Sequence, residues 1–156
     1  MKVPYFDVSR QHQKFVVEAQ AAFDKILKSG AYILGPALKD LEAAFAAYIG
    51  TKFALGVGSG TDALIFALRA LGVKKGDEVI VPSFTFTSTA LAAVHLGATP
   101  VFADVEEATF NLDPQSAAQA VSRKTKAILP VHLFGQCANM TAIMDLAKRK
   151  KLYVVE

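Results

Sequence analysis

Short apolar runs recur between residues 53 and 155 with helical segments between them, and this alternation constrains the fold more than any other feature of the chain. The runs are 53–57 (FALGV), 78–82 (EVIVP), 99–103 (TPVFA), 126–130 (KAILP) and 152–155 (LYVV). Helical periodicity marks segments near 60–71, 86–96, 114–122 and 139–150. The first three runs are almost continuously apolar, as strands covered by helices on both faces must be. Parallel neighbours need a long crossover, so the pattern predicts an α/β fold: a three-layer sandwich around a mainly parallel, doubly wound sheet. Upstream, Phe15, Ala19, Ala22, Phe23, Ile26 and Leu27 predict one helix over 9–29 that stops at Gly30. Gly35-Pro36 opens another over 36–49, with Leu38, Leu41, Phe45 and Tyr48 on one face and Gly50 at its end. The chain therefore divides into a helical segment, 1–50, and an α/β portion, 51–156.

Composition narrows the function classes. At 53% hydrophobic and 20% charged residues over 156 positions, the chain is a folded domain or part of a larger one, not a disordered segment. It offers no membrane-spanning run and no leader pattern, so a cytoplasmic location is expected. Cys137 is the sole cysteine, so no disulfide forms within the chain, and the three histidines have no metal-ligand spacing. A net charge of +3 is too small to imply nucleic acid. The run Lys148 to Lys151 reads as a solvated helix end offsetting the dipole.

Ligands of doubly wound sheets bind beyond the carboxyl ends of the strands. That rule selects Gly58 to Asp62, Ser83 to Thr87, Asp104, His132 to Gln136 and Glu156. The first stretch, GVGSGTDAL, is a glycine-rich turn entering a helix. Its free N–H groups and the helix dipole make an anion site, with Ser59 and Thr61 as further donors. The competing reading is a tight turn capped by Ser59 or Thr61, with no ligand. Residues 58–63 also match a dinucleotide fingerprint, but its ribose-binding acid is missing: Asp77 and Glu78 start the second strand instead of ending it. In the second loop Phe84 reads as core, while Phe86 is either core or a stacking platform for a flat ring. Asp104, Glu106 and Glu107 read as a solvated turn, and Asn111 and Asp113-Pro114 as turn and helix-start chemistry. His132 and Gln136 lie at the binding edge, where a histidine is either an acid–base group or structural.

Three stretches in order, GAYILGPALKDLEAAFAAYIGTKFALGVGSGTDALIFAL, GDEVIVPSFTFTSTALAAVHLGATPVFADV and TKAILPVHLFGQCANMTAIMDLAKRKKLYVVE, resemble the DegT/DnrJ/EryC1/StrS family. These are pyridoxal-phosphate-dependent aminotransferases acting mostly on keto groups of nucleotide-linked sugars. The resemblance implies fold type I of the pyridoxal-phosphate-dependent transferases, with the large domain incomplete. It implies pyridoxal 5'-phosphate held by Gly60, Thr61 and Asp62, with Phe86 against the pyridine ring. It places His132 and Gln136 in the active-site loop and Tyr32 near the sugar or a dimer partner. It further implies a homodimer, with glutamate or glutamine as amino donor. The family's ring-pairing aspartate and Schiff-base lysine would follow Glu156, so this chain reads as the N-terminal part of a longer protein, inactive alone. In the family's fold the strand at 53–57 is an edge strand whose neighbours come from that later portion. Two other readings stand beside this one: a Rossmann-like nucleotide-binding domain, and a non-catalytic homologue that pairs with a full-length subunit.

Overall fold

The computed structural model describes residues 3, 4 and 6–156. Met1, Lys2 and Tyr5 of the helical segment 1–50 lie outside the described residues. The chain forms two compact units, Met1–Gly56 and Val57–Glu156.

The first unit is helical: α1 (Ser9–His12), α2 (Val16–Ser29) and α3 (Pro36–Ile49). The single helix expected over 9–29 is broken at Gln13–Phe15. Residues 9–14, SRQHQK, supply no apolar side chain to seat a helix, and a short helix without tertiary support does not repay its nucleation cost. The stops at Gly30 and Gly50 are as expected: both glycines take left-handed φ, +67° and +78°, and return an N–H to Ile26 and Ala46.

The second unit carries α4 (Gly60–Ala70), β1 (Glu78–Pro82), α5 (Ser88–His95), β2 (Thr99–Ala103), α6 (Pro114–Ala120), β3 (Thr125–Ile128), α7 (Met140–Lys150) and β4 (Tyr153–Val154). The four strands pair in parallel in the order β2-β1-β3-β4. Side-chain alternation splits the core into two layers. Val79, Val81, Ala127 and Leu129 pack with Leu68, Ala92 and Ala93 of α4 and α5 on one face. Ile80 and Ile128 pack with Ala117, Ile143 and Leu146 of α6 and α7 on the other. Crossover handedness explains the division. The chain runs outward from β1 to β2 through α5, then back past β1 through α6 and onward through α7. Right-handed connections in opposite directions put their helices on opposite faces. The direction changes between β1 and β3, so the crevice opens at the carboxyl ends of those two strands.

Two strand expectations are corrected. Residues 53–57 form no strand. A strand exists only through a partner, and none is offered among the described residues. Phe53 and Leu55 stand 78% and 80% exposed, and the Gly56 N–H is taken by the Glu42 Oε1 at 2.8 Å. The run 99–103 is a strand, but as an edge strand it is not buried on both faces, and Phe102 is exposed.

Candidate functional site

Helix α4 starts where it does because Ser59, in extended backbone, accepts the Asp62 N–H on its Oγ at 3.1 Å. Its carbonyl takes the Ala63 N–H at 3.0 Å. The N–H groups of Gly60 and Thr61 have no acceptor among the described residues. The ligand-free cap and the anion site are thus both present: Ser59 caps, and two amides ahead of it stay open. A methyl group built on Gly60 would meet nothing within 4 Å, so the turn faces open space.

The start of α5 lies alongside. Thr61 donates its hydroxyl to Ser88 Oγ at 2.8 Å, joining the first turns of the two helices. Thr85 and Thr89 share a hydrogen bond of 2.9 Å between their hydroxyls. Two positive dipole ends and four hydroxyls therefore converge on one place.

That place is a cleft of about 600 Å³ at the carboxyl ends of β1 and β3, within the range of ordinary small-molecule sites. Gly60, Thr61, Thr85, Phe86, Ser88 and Thr89 line one side, Pro130 to Leu133 the other, with Glu156 at the rim. Phe86 is 78% exposed, so its ring is bare at the mouth. The reading of Phe84 as core is corrected: it is 52% exposed and packs on Phe110, centroids 5.6 Å apart, because it follows the last buried position of β1 and has passed beyond the sheet.

His132 sits on the opposite wall. Its Nδ1 accepts the Ala138 N–H at 3.1 Å, and its Nε2 lies 2.7 Å from Glu156 Oε2. Because a backbone N–H can only donate, the neutral ring carries its proton on Nε2 and donates it to the carboxylate. Of the residues selected from sequence, Gly60, Thr61, Phe86 and His132 meet in this cleft. Asp62 does not line it; its carboxylate faces Gly58. The Gln136 side chain is not in the lining either. Tyr32, in the first unit, donates its hydroxyl to the Leu27 carbonyl at 3.2 Å.

Sequence reasoning missed Asn111. Read as turn chemistry, it is 2% exposed and reaches across to the His132 loop, accepting the Leu133 N–H on Oδ1 at 2.9 Å and donating from Nδ2 to the Gln136 carbonyl at 3.0 Å. The dinucleotide reading loses further ground: Glu78 bonds Ser122 at the amino end of the sheet, opposite the cleft. No lysine among the described residues lines the cleft.

The model of the DegT/DnrJ/EryC1/StrS aminotransferase family matches residues 13–156. A pleiotropic regulatory protein of Geobacillus stearothermophilus is 47% identical over all of this chain and 42% of its own length. The dTDP-3-amino-3,4,6-trideoxy-alpha-D-glucose transaminase of Streptomyces venezuelae is 46% identical over 99% of this chain and 41% of its own. The crystal structure of NtdA from Bacillus subtilis with bound cofactor PMP superposes with a TM-score of 0.94 at 36% identity, over 98% of this chain and 35% of that one. The chain thus spans about two fifths of the length of the curated relatives it matches. The α/β architecture expected from the resemblance is the one found, and the match covers both units. On sequence and fold together, the chain belongs to the DegT/DnrJ/EryC1/StrS aminotransferase family.

Proposed function

We propose that the cleft is the cofactor site of a pyridoxal 5'-phosphate-dependent aminotransferase, which moves an amino group from glutamate or glutamine to a keto sugar carried on a nucleotide. The observation that carries this is the meeting of two helix starts with a bare phenyl ring in one cleft. A phosphate on a flat aromatic ring needs both, a few ångströms apart.

The residues fit such a group. The amides of Gly60 and Thr61 and the hydroxyls of Thr61 and Ser88 bind the phosphate. Asp62 supports that turn from behind, next to Gly58. Phe86 covers one face of the ring. Ala63, Leu64, Leu129 and Val131 make the remaining wall apolar and hold water away. His132 holds a proton at Nε2, oriented by Ala138 and Glu156. When bound, pyridoxal phosphate supplies the carbonyl that carries the amino group and an electron-withdrawing ring.

The lysine of the reaction, and the acid that pairs with the ring nitrogen, are proposed to belong to the length of such proteins that this chain does not span. The 156 residues alone are then not expected to transaminate. Residues 51–156 are the cofactor-binding portion, while Tyr32 and Gln136 face the sugar or a second subunit. The working form is a cytoplasmic homodimer. No described helix is long and apolar enough to cross a membrane. Similarity to the Streptomyces relative, a transaminase of a dTDP-linked amino sugar, supports the nucleotide-sugar class.

Titration of the protein at its full natural length with pyridoxal phosphate tests this. Saturable changes in absorbance and protein fluorescence are expected, with pyridoxal lacking the phosphate binding far more weakly. A flat response to both compounds overturns the proposal.

A further inference from the structure

We propose that Asn111 is a positioning residue of this site: through the loop 132–138 it sets the ring of His132 and the nitrogen on which that ring keeps its proton. The inference rests on the reading of the cleft as the cofactor site. Asn111 lies in a short excursion between β2 and α6, closed by the Val105–Leu112 bridge and by the Glu106 N–H on the Asn111 carbonyl at 2.9 Å. Its side chain leaves that excursion and bonds both arms of a loop more than twenty residues away in sequence. The amide has one workable orientation: Leu133 presents an N–H and Gln136 a carbonyl, so a flipped amide would set donor against donor and acceptor against acceptor.

The loop needs an external hold. Phe134 and Gly135 are consecutive left-handed residues, φ +55° and +84°. For phenylalanine that backbone is unfavourable and persists only where surroundings enforce it. The Phe134 ring is 86% exposed, so its own packing does not compensate. The turn's own bonds, from the Gly135 N–H to the His132 carbonyl at 3.2 Å and from the Gln136 N–H to the Leu133 carbonyl at 3.0 Å, close the curl, and the two flanking bonds to the buried Asn111 amide fix it against the rest of the fold. The curl they enforce brings the Ala138 N–H back onto His132 Nδ1, which leaves the proton on Nε2, facing Glu156. Without the amide, the Leu133 N–H and Gln136 carbonyl lose their partner, the curl relaxes, and Nδ1 loses its donor.

The test uses the protein at its full natural length with ¹⁵N-labelled histidine and leucine, the His132 signals being assigned by their loss in His132→Gln and the Leu133 amide by its loss in Leu133→Met. The native protein is expected to show one neutral tautomer, protonated on Nε2, and a Leu133 amide protected from exchange. In Asn111→Ala the tautomers should mix. With cofactor bound, kcat should fall about tenfold to a hundredfold, as for a displaced site group, while the affinity for pyridoxal phosphate is unchanged because its anchor is on α4 and α5. Asn111→Asp keeps the acceptor for Leu133 and should recover part of the native tautomer signal. A folded Asn111→Ala with native tautomer and native kcat overturns the proposal. So does a native protein with mixed His132 tautomers or a freely exchanging Leu133 amide, which decides the matter if the alanine variant fails to fold. Failure of the cofactor to bind would sink the proposed function instead, and the tautomer of the cofactor-free protein would still judge Asn111.

Discussion

Phe86 gives the sharpest prediction at the residue scale, because binding and stability separate there. Its ring is exposed, so Phe86→Ala removes almost no packing and should shift unfolding by less than about 0.5 kcal/mol. If the ring stacks on the cofactor, the same change removes about 0.5–1.5 kcal/mol of aromatic contact, up to roughly tenfold in the dissociation constant of pyridoxal phosphate. Titration and denaturation of one variant preparation check both halves. Ser59→Ala should show the converse balance: it deletes the hydroxyl that accepts the Asp62 N–H, at a cost of about 1 kcal/mol in denaturant unfolding. Phe86 and His132 were legible in the sequence because each follows a strand end by a few residues, and Gly60 and Thr61 because a glycine-rich turn capped by Ser59 opens a helix there, although the strand expected before that turn does not form. Asn111 was not legible. Its partners, Leu133 and Gln136, are 22 and 25 positions away, and no local signal tells a buried asparagine that bonds two loop amides from one that merely turns the chain.

The elements owe their places to burial and capping, and both are testable. Leu68 anchors α4 to the sheet against Val79 and Val81, fully buried. Leu68→Ala should cost about 2–5 kcal/mol and lower the denaturation midpoint of the second unit; a loss below 1 kcal/mol would mean that α4 is not fixed by this contact. The helices of the second unit were readable within a residue or two because apolar spacing marks them and, for α4, α6 and α7, a side-chain cap fixes the start: Asp113 accepts the N–H groups of Gln115 and Ser116 at 2.9 and 3.1 Å, ahead of Pro114. The failures have a different cause. A strand is a property of two segments, and the apolar run 53–57 has the composition without the neighbour. The helix predicted over 9–29 is interrupted at Gln13–Phe15, after a first turn, Ser9–His12, whose polar side chains give it nothing to pack on. Phe84 is the same lesson in small: an apolar residue next to a buried strand is not buried once the chain has left the sheet, and Phe110 then becomes its partner.

At the scale of the whole molecule, the balance between covered and uncovered apolar surface decides behaviour. The sheet of the second unit has a well-filled core on both faces. Among the described residues of the first unit Ala46 is the only buried apolar one, whereas Phe15, Val17, Phe23, Leu41, Phe45 and Tyr48 are all exposed. Exposed apolar area on this scale marks a surface that is covered in use or sticks when it is not. Residues 53–57 add the exposed side chains of Phe53 and Leu55 on a run that joins no strand ladder among the described residues, and an apolar run without ladder partners is open to pairing between chains. A net charge of +3 gives little electrostatic repulsion to oppose association. The 156 residues produced alone should therefore self-associate: the weight-average mass in sedimentation should rise with concentration, a hydrophobic dye should bind, and denaturant unfolding should be broad. A concentration-independent monomer with a single steep transition would show that these side chains cover one another in solution, and the argument from exposed surface would fail with it.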